Sequence, residues 1–155
     1  MSTNELETDY LIIGAGASGM AFADTLLTES DANIIIIDKQ AQPGGHWNDA
    51  YSFVRLHQPS AFYGVNSRPL GRNQKDSSGL NEGLYELATG TEVCNYFQKV
   101  MSEQLLASGR LQYFPMCEYK SDNEFYSTVS GENYRVKVRK KLVDARYFNA
   151  TIPAN

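Results

Sequence analysis

Two short runs near the start of the chain are apolar at every position. "YLII" at residues 10–13 lies between Asp9 and Gly14, and "NIIIID" at residues 33–38 holds four consecutive isoleucines. A strand with one wet face alternates apolar and polar residues, whereas a strand buried on both faces of a parallel sheet does not. Both runs are therefore expected to be buried parallel strands. Between them, residues 17–29 set Met20, Ala23, Leu26 and Leu27 on roughly one helical face, and Glu29, Ser30 and Asp31 close the segment. Strand, helix and strand make a βαβ unit.

The pattern then dissolves. Residues 41–88 show little periodicity, many aromatic residues and turn signals clustered between Pro43 and Gly83. A stretch this long without regular structure is usually a binding surface or disordered, and the aromatic residues favour binding. Periodicity returns at Thr89 and Glu92, spaced as a capping box, with Val93, Phe97, Val100, Met101 and Leu105 at helical spacing up to Gly109. An amphipathic helix is predicted over 91–108. Residues 111–150 carry the β-rich stretches "LQYFPMCEY", "EFYSTV", "YRVKVR" and "KLVDARYFNA", with turn signals at "SDN" and "SGEN". The last three are expected to form a meander. The fold class is thus α/β and Rossmann-like, a parallel sheet with a C-terminal β-meander. No repeat, low-complexity tract or composition shift divides residues 1–155.

Composition narrows the partners. A chain of 155 residues, 42% hydrophobic and 21% charged, fits one soluble domain with its own core. A net charge of -4 supplies no basic stripe for nucleic acid. No apolar run approaches the ~20 residues that cross a bilayer. The polar, acidic start "MSTNELETD" is unlike a signal peptide, so no membrane partner and a cytoplasmic location are expected. Cys94 and Cys117 lie outside any C-x-x-C spacing, which points to reduced, ordinarily packed thiols and to no metal site.

Gly14, Gly16 and Gly19 follow the first strand at the spacing of a dinucleotide-binding turn. Such a turn uses its first glycine for a tight reversal, its second for backbone approach to a pyrophosphate and its third for close helix packing. The helix that begins at Ala17 and Ser18 then points unsatisfied N–H groups and its positive dipole end at the phosphates. Asp38, about 20 residues past the last glycine and followed by Lys39, ends the second strand where a carboxylate accepts ribose hydroxyls.

"DYLIIGAGASGMAFADTL" and "IIIIDKQAQPGGHWND" resemble the N-terminal FAD-binding segment of two-dinucleotide-binding-domain flavoproteins. "GGHW" at residues 44–47 is similar to the Gly-Gly-x-Trp of flavin-containing and Baeyer-Villiger monooxygenases. The resemblance implies FAD at the first turn. Position by position it assigns Gly14, Gly16, Ala17, Ser18, Gly19, Asp38 and Lys39 to the pyrophosphate and ribose, and Gly45, His46 and Trp47 to the flavin side. It also implies that "RLHQPSAFYG" runs beside the flavin ring, making Arg55, His57 and Gln58 candidate hydrogen-bonding groups. Met116 and Cys117, at the end of the third strand, would fall where such folds pair backbone with adenine. The residues themselves agree in part: Gly44 and Gly45 permit close backbone approach, and Trp47 offers a large flat surface with one N–H donor. His46 and His57 have no partner spacing that marks acid-base catalysis or metal binding. "VDARYFNATIP" at residues 143–153 resembles the strand that returns to the cofactor but lacks an Ala-Thr-Gly ending, so Ala150 and Thr151 receive no role.

No second GxGxxG follows Gly19, a phenylalanine-glycine-histidine pattern is missing, and the chain stops at "IPAN". The expectation is a truncated N-terminal part of a longer FAD-dependent oxidoreductase, monooxygenase-like, with NADP or NAD as reductant of the full-length enzyme and no activity in this chain alone. Apolar surface left by a missing domain would favour self-association. The small-molecule substrate is not encoded in these residues. The alternative is a non-catalytic NAD(P)- or nucleotide-binding module, for which "PGGHW" has no evident use.

Overall fold

The isoleucine run is a strand because it has a core on each side. In the computed structural model, which describes residues 2–146, β1 (Thr3–Ile13) leads through α1 (Ala17–Glu29) to β2 (Ile34–Ile37). The two strands are parallel, with Tyr10 opposite Ile34 and Ile13 opposite Ile37. Ile34 and Ile36 join Ile12, Met20, Ala23, Val93 and Phe97 in one buried cluster. Ile35 and Ile37 join Leu11, Ile13, Phe125 and Val136 in another. Strand alternation sends successive isoleucines to opposite layers, so a polar residue at any of these positions would be buried.

The long connection is irregular, as its composition indicated. It contains tight helical turns at Gly45–Asp49 and Ser60–Phe62 and a short hairpin of β3 (Gly64–Val65) and β4 (Arg68–Pro69). Two anchors hold that hairpin: the buried Asp24 carboxylate accepts from Ser67, and the Tyr96 hydroxyl accepts from the Val65 N–H at 2.8 Å. α2 (Gly90–Val100) opens on the expected box, with the Thr89 hydroxyl accepting from the Glu92 N–H at 3.2 Å and the Glu92 carboxylate accepting from the Thr89 N–H at 2.8 Å. Two otherwise orphaned donors are thereby satisfied. The helical path continues to Ser108 but widens into a π turn at Met101–Leu105, and it ends at Gly109 in the left-handed conformation, φ 72°. Arg110 then closes the far end of α1, donating to the carbonyls of Leu27 at 2.6 Å and Ser30 at 2.7 Å. A cation there also suits the negative end of the helix dipole.

β5 (Leu111–Phe114), β6 (Cys117–Tyr119), β7 (Glu124–Ser127) and β8 (Asn133–Asp144) complete a six-stranded sheet ordered β5-β2-β1-β8-β7-β6. The pairs among β5, β2, β1 and β8 are parallel, and those among β6, β7 and β8 antiparallel. The meander is there, but its members differ from those expected. "YRVKVR" and the start of "KLVDARYFNA" are one strand, because no turn-forming residue lies between Arg139 and Leu142. The strand instead absorbs a register shift opposite Thr8 and Tyr10. Residues 147–153 of the returning stretch, with Ala150 and Thr151, lie outside the described residues.

β1 also starts earlier than its apolar run. Thr3–Thr8 pair with Asn133–Val138, and the acids of one strand meet the bases of the other: exposed Glu5 with Arg135 at 3.4 Å, and exposed Glu7 and half-buried Asp9 with Arg139 at 2.9 Å. The Arg139 guanidinium, helped by the Asn33 N–H, holds the Asp9 carboxyl down at about 2. Exposed pairs of this kind align a polar strand more than they stabilise it.

Candidate functional site

The crevice at the carboxyl ends of the parallel strands collects the glycines. From β1 the chain crosses to β2 and then β5 on one side, while β8 lies on the other, so the strand order reverses at β1. Open α/β sheets bind ligands at such a switch point. Here the Gly14 N–H donates to the Ile37 carbonyl at 2.8 Å and the Ala145 N–H to the Ile13 carbonyl at 2.8 Å, fixing the turn between β2 and β8. Gly14 has φ +113°, and a Cβ on it would sit 3.0 Å from the Ala145 carbonyl oxygen. A Cβ on Gly19 would collide with the Gly14 carbonyl oxygen, so α1 packs this close only with glycine there.

The second glycine signal folds onto the first. The Gly44 N–H donates to the Ala15 carbonyl at 2.9 Å. Gly45, with φ +58°, lies so near Gly16 that a Cβ on it would be 3.0 Å from the Gly16 Cα. "GAGASG" and "PGGHW" thus meet backbone to backbone. Gly16 is also the N-cap of α1, whose first turn has neither a side-chain cap nor an acidic residue. Its orphaned N–H groups and positive dipole end therefore have no carboxylate of their own. Ala17 is half-buried and Ser18 exposed.

Asp38 lies beside this turn, 8% exposed. One carboxylate oxygen accepts from the Ala15 N–H at 2.5 Å and the other from the Gln40 N–H at 2.8 Å. Each oxygen retains a further lone pair. The Asp38 N–H donates to Phe114, the Cys117 N–H to the Asp38 carbonyl at 2.9 Å, and the Met116 N–H to Gln40 at 3.1 Å. Met116 occupies the connection between β5 and β6 in a left-handed conformation, and its carbonyl accepts from both the N–H and the hydroxyl of Thr128. Cys117 opens β6, and burial pushes its thiol up. Lys39 is exposed next to this set.

The remaining predicted positions are arranged differently. Trp47 is buried, and its indole N–H donates to the Tyr63 hydroxyl at 2.9 Å, so the donor expected for a cofactor is engaged within the protein. His46 is exposed, with its ring centroid 5.5 Å from that of Trp47. His57 and Gln58 are exposed on the long connection, outside the bonded set around Gly14–Gly19, while Arg55 donates to the Leu87 carbonyl at 3.3 Å. Behind the Gly44–Gly45 turn, a cleft of about 350 Å³ bordered by Trp47, Asn48, Tyr51, Cys94 and Gln98 has no charged lining residue. Sequence reasoning missed Ala15 and Gln40, whose N–H groups hold Asp38, and Tyr113, whose buried hydroxyl has no hydrogen-bond partner among the described residues. The register of β5 against β2 is the signal that would have found Tyr113. Among the described residues no group of three His, Cys, Asp or Glu side chains could hold a metal ion, and no helix is long and apolar enough to cross a membrane.

Residues 12–66 match the NAD(P)-binding Rossmann-like domain family. Uncharacterized proteins of Mycobacterium tuberculosis and Mycobacterium bovis are 58% identical over 149 residues, 96% of this chain. The chain spans 28% of the length of those curated relatives. A flavin-containing monooxygenase from Stenotrophomonas maltophilia shares its fold at TM-score 0.59 and 18% identity, over 90% of this chain and 38% of that one. Cyclohexanone monooxygenase from Rhodococcus sp. Phi1, a structure bound to NADP+, superposes at TM-score 0.59 and 22% identity, over 96% and 28%. The bacillithiol disulfide reductase of Staphylococcus aureus does so at 0.62 and 15%, over 94% and 39%. The shared fold is Rossmann-like, and residues 12–66 within it are similar to the NAD(P)-binding family. The chain's architecture is the one found in that flavin-containing monooxygenase, as the resemblance of its glycine motifs implied.

Proposed function

We propose that the chain binds FAD at the Gly14–Gly19 turn, as the dinucleotide-binding part of an FAD-dependent, monooxygenase-like oxidoreductase. The observation that carries this reading is the backbone contact of Gly16 with Gly45 at the uncapped start of α1. The residues fit the group: glycines keep backbone accessible where a Cβ would stand, the helix start lacks an anion, and Asp38 keeps lone pairs for hydroxyls. In this reading the N–H groups of Ala17, Ser18 and Gly19 hold the pyrophosphate, and Asp38 accepts from the ribose with Lys39 at the rim. Met116 and Cys117 border the adenine through side chains and shape, since the Met116 N–H and carbonyl and the Cys117 N–H are already bonded. Gly45, His46 and His57 face the flavin side, where Trp47 acts by packing and not by donating its N–H. The bound flavin would supply electron transfer between a nicotinamide, NADP or NAD, and a small-molecule substrate, while the protein binds, orients and excludes competing reactions. The negative Asp38 disfavours a 2′-phosphate, so NADP is not the preferred occupant of this turn.

The match to an NAD(P)-binding family favours a second reading, a nucleotide-binding module without catalysis. Titration of the purified chain with FAD, followed by flavin fluorescence, separates the two. Saturable quenching by the chain, competed by ADP and only weakly by NADP, is the expected result. No flavin binding, with preferential protection by NAD against thermal unfolding, would overturn the FAD reading.

A further inference from the structure

Gly44 and Gly45 turn with φ +123° and +58°, two successive residues in the region that favours glycine. A turn of that kind has no strand ladder to hold it, so its carbonyl groups need other donors. One side chain supplies them. The Asn48 amide nitrogen donates to the carbonyls of Gly45 at 3.1 Å and Gln42 at 3.2 Å, with that of Pro43 at 3.4 Å. Its amide oxygen accepts from the Cys94 thiol of α2 at 3.8 Å. Three carbonyls around one end of the amide and a thiol at the other fix which end is nitrogen. Neither aspartate nor leucine, of similar size, offers that pairing.

Asn48 is itself anchored. Trp47, the residue before it, is buried and tied to Tyr63, and the Ala50 N–H donates to the Trp47 carbonyl at 3.4 Å. A second tie from α2 runs from the Gln98 amide nitrogen to the Gln42 side-chain oxygen at 2.6 Å. A Cβ on Gly44 would stand 3.4 Å from the Asn48 amide nitrogen and 3.8 Å from the Cys94 sulfur, so amide and thiol pack directly on the turn. The same turn meets the first glycine loop, where the Gly44 N–H donates to the Ala15 carbonyl at 2.9 Å and Gly45 abuts Gly16. α2, Asn48, the Gly44–Gly45 turn and Gly16 thus form one continuous series of contacts.

We propose that Asn48 is a positioning residue for the flavin side of the site: its amide holds Gly45 against Gly16, so the second glycine turn is preorganised before the dinucleotide arrives. This rests on the reading that the Gly14–Gly19 turn takes FAD. In that reading the ribose is held at Asp38, which is fixed by the N–H groups of Ala15 and Gln40, and the pyrophosphate at the start of α1. Asn48 therefore bears on the flavin half of the ligand and leaves the adenosine diphosphate half to other groups.

Asn48→Asp keeps the shape of the side chain, removes both N–H donors and sets a negative oxygen against the carbonyls. Amide hydrogen exchange of the free proteins reads the turn without any ligand. The Gly44 N–H is expected to exchange at least about tenfold faster than in wild type, and the Gly14 N–H, bonded to the Ile37 carbonyl, at the wild-type rate. In titrations FAD is expected to bind about tenfold more weakly, and ADP within about twofold of wild type. Asn48→Ala removes the donors without adding charge; it should move both readouts the same way by a smaller factor, and it takes over the test if Asn48→Asp does not fold. Unchanged Gly44 exchange, undiminished FAD binding, or equal loss of FAD and ADP would overturn the proposal. Failure of wild type itself to bind FAD would instead overturn the FAD reading, and the binding role of Asn48 with it, while the Gly44 exchange would still report whether Asn48 holds the turn.

Discussion

Gly16→Val is expected to fold and to lose FAD. In the fluorescence titration its affinity should fall by more than about a hundredfold, a loss above about 2.7 kcal/mol. The backbone at Gly16 is extended, φ -83°, so a side chain meets no intrinsic strain. A Cβ would lie 3.4 Å from the Gly45 Cα, an ordinary contact, and the two further methyl groups of valine would then occupy the approach to the α1 N–H groups. Retained affinity with a normal circular dichroism spectrum would count against the site. Gly19 offers no such separation of folding from binding, because its Cβ would strike the Gly14 carbonyl oxygen and push α1 off the sheet.

Ile36→Ala carries the largest expected loss of stability. Ile36 is 0% exposed and packs in the helix-side cluster between the sheet and both helices. Truncation removes buried methylenes and leaves a cavity, which costs about 2–5 kcal/mol where the surroundings cannot collapse. Urea unfolding should show the midpoint lowered with an unchanged slope. Val129→Ala is the control: Val129 is 74% exposed, and its truncation should change stability by less than about 0.5 kcal/mol. A similar loss at both positions would contradict the assignment of the core.

Much of the parallel half of the fold was legible because its signals are local. Four adjacent isoleucines need two apolar layers, Thr89 and Glu92 form a capping box within three residues, and the glycine spacing encodes a turn in which a Cβ is sterically excluded at Gly14 and Gly19. The start of β1 was not legible, since "TNELET" has no apolar periodicity and gains its register from Arg135 and Arg139 more than 120 residues away. The junction inside β8 was misread for the same reason: its continuity depends on pairing with β1, not on its own composition. The structure brings Gly14, Gly16, Gly19, Gly45 and Asp38 close together at the candidate site. The Trp47 donor did not follow, because Tyr63, sixteen residues on, takes its hydrogen bond. The place of Tyr113 was invisible until the register of β5 against β2 set it opposite Ile36.

The central claim is that a nucleotide diphosphate rests on the start of α1. Backbone amide shifts of the uniformly labelled chain, recorded by NMR during addition of ADP, address it directly. The largest changes are expected at Gly14, Gly16, Ala17, Ser18 and Gly19, with smaller ones at Gln40 and Gly45. Saturation with the major shifts elsewhere, and these amides unmoved, would contradict it.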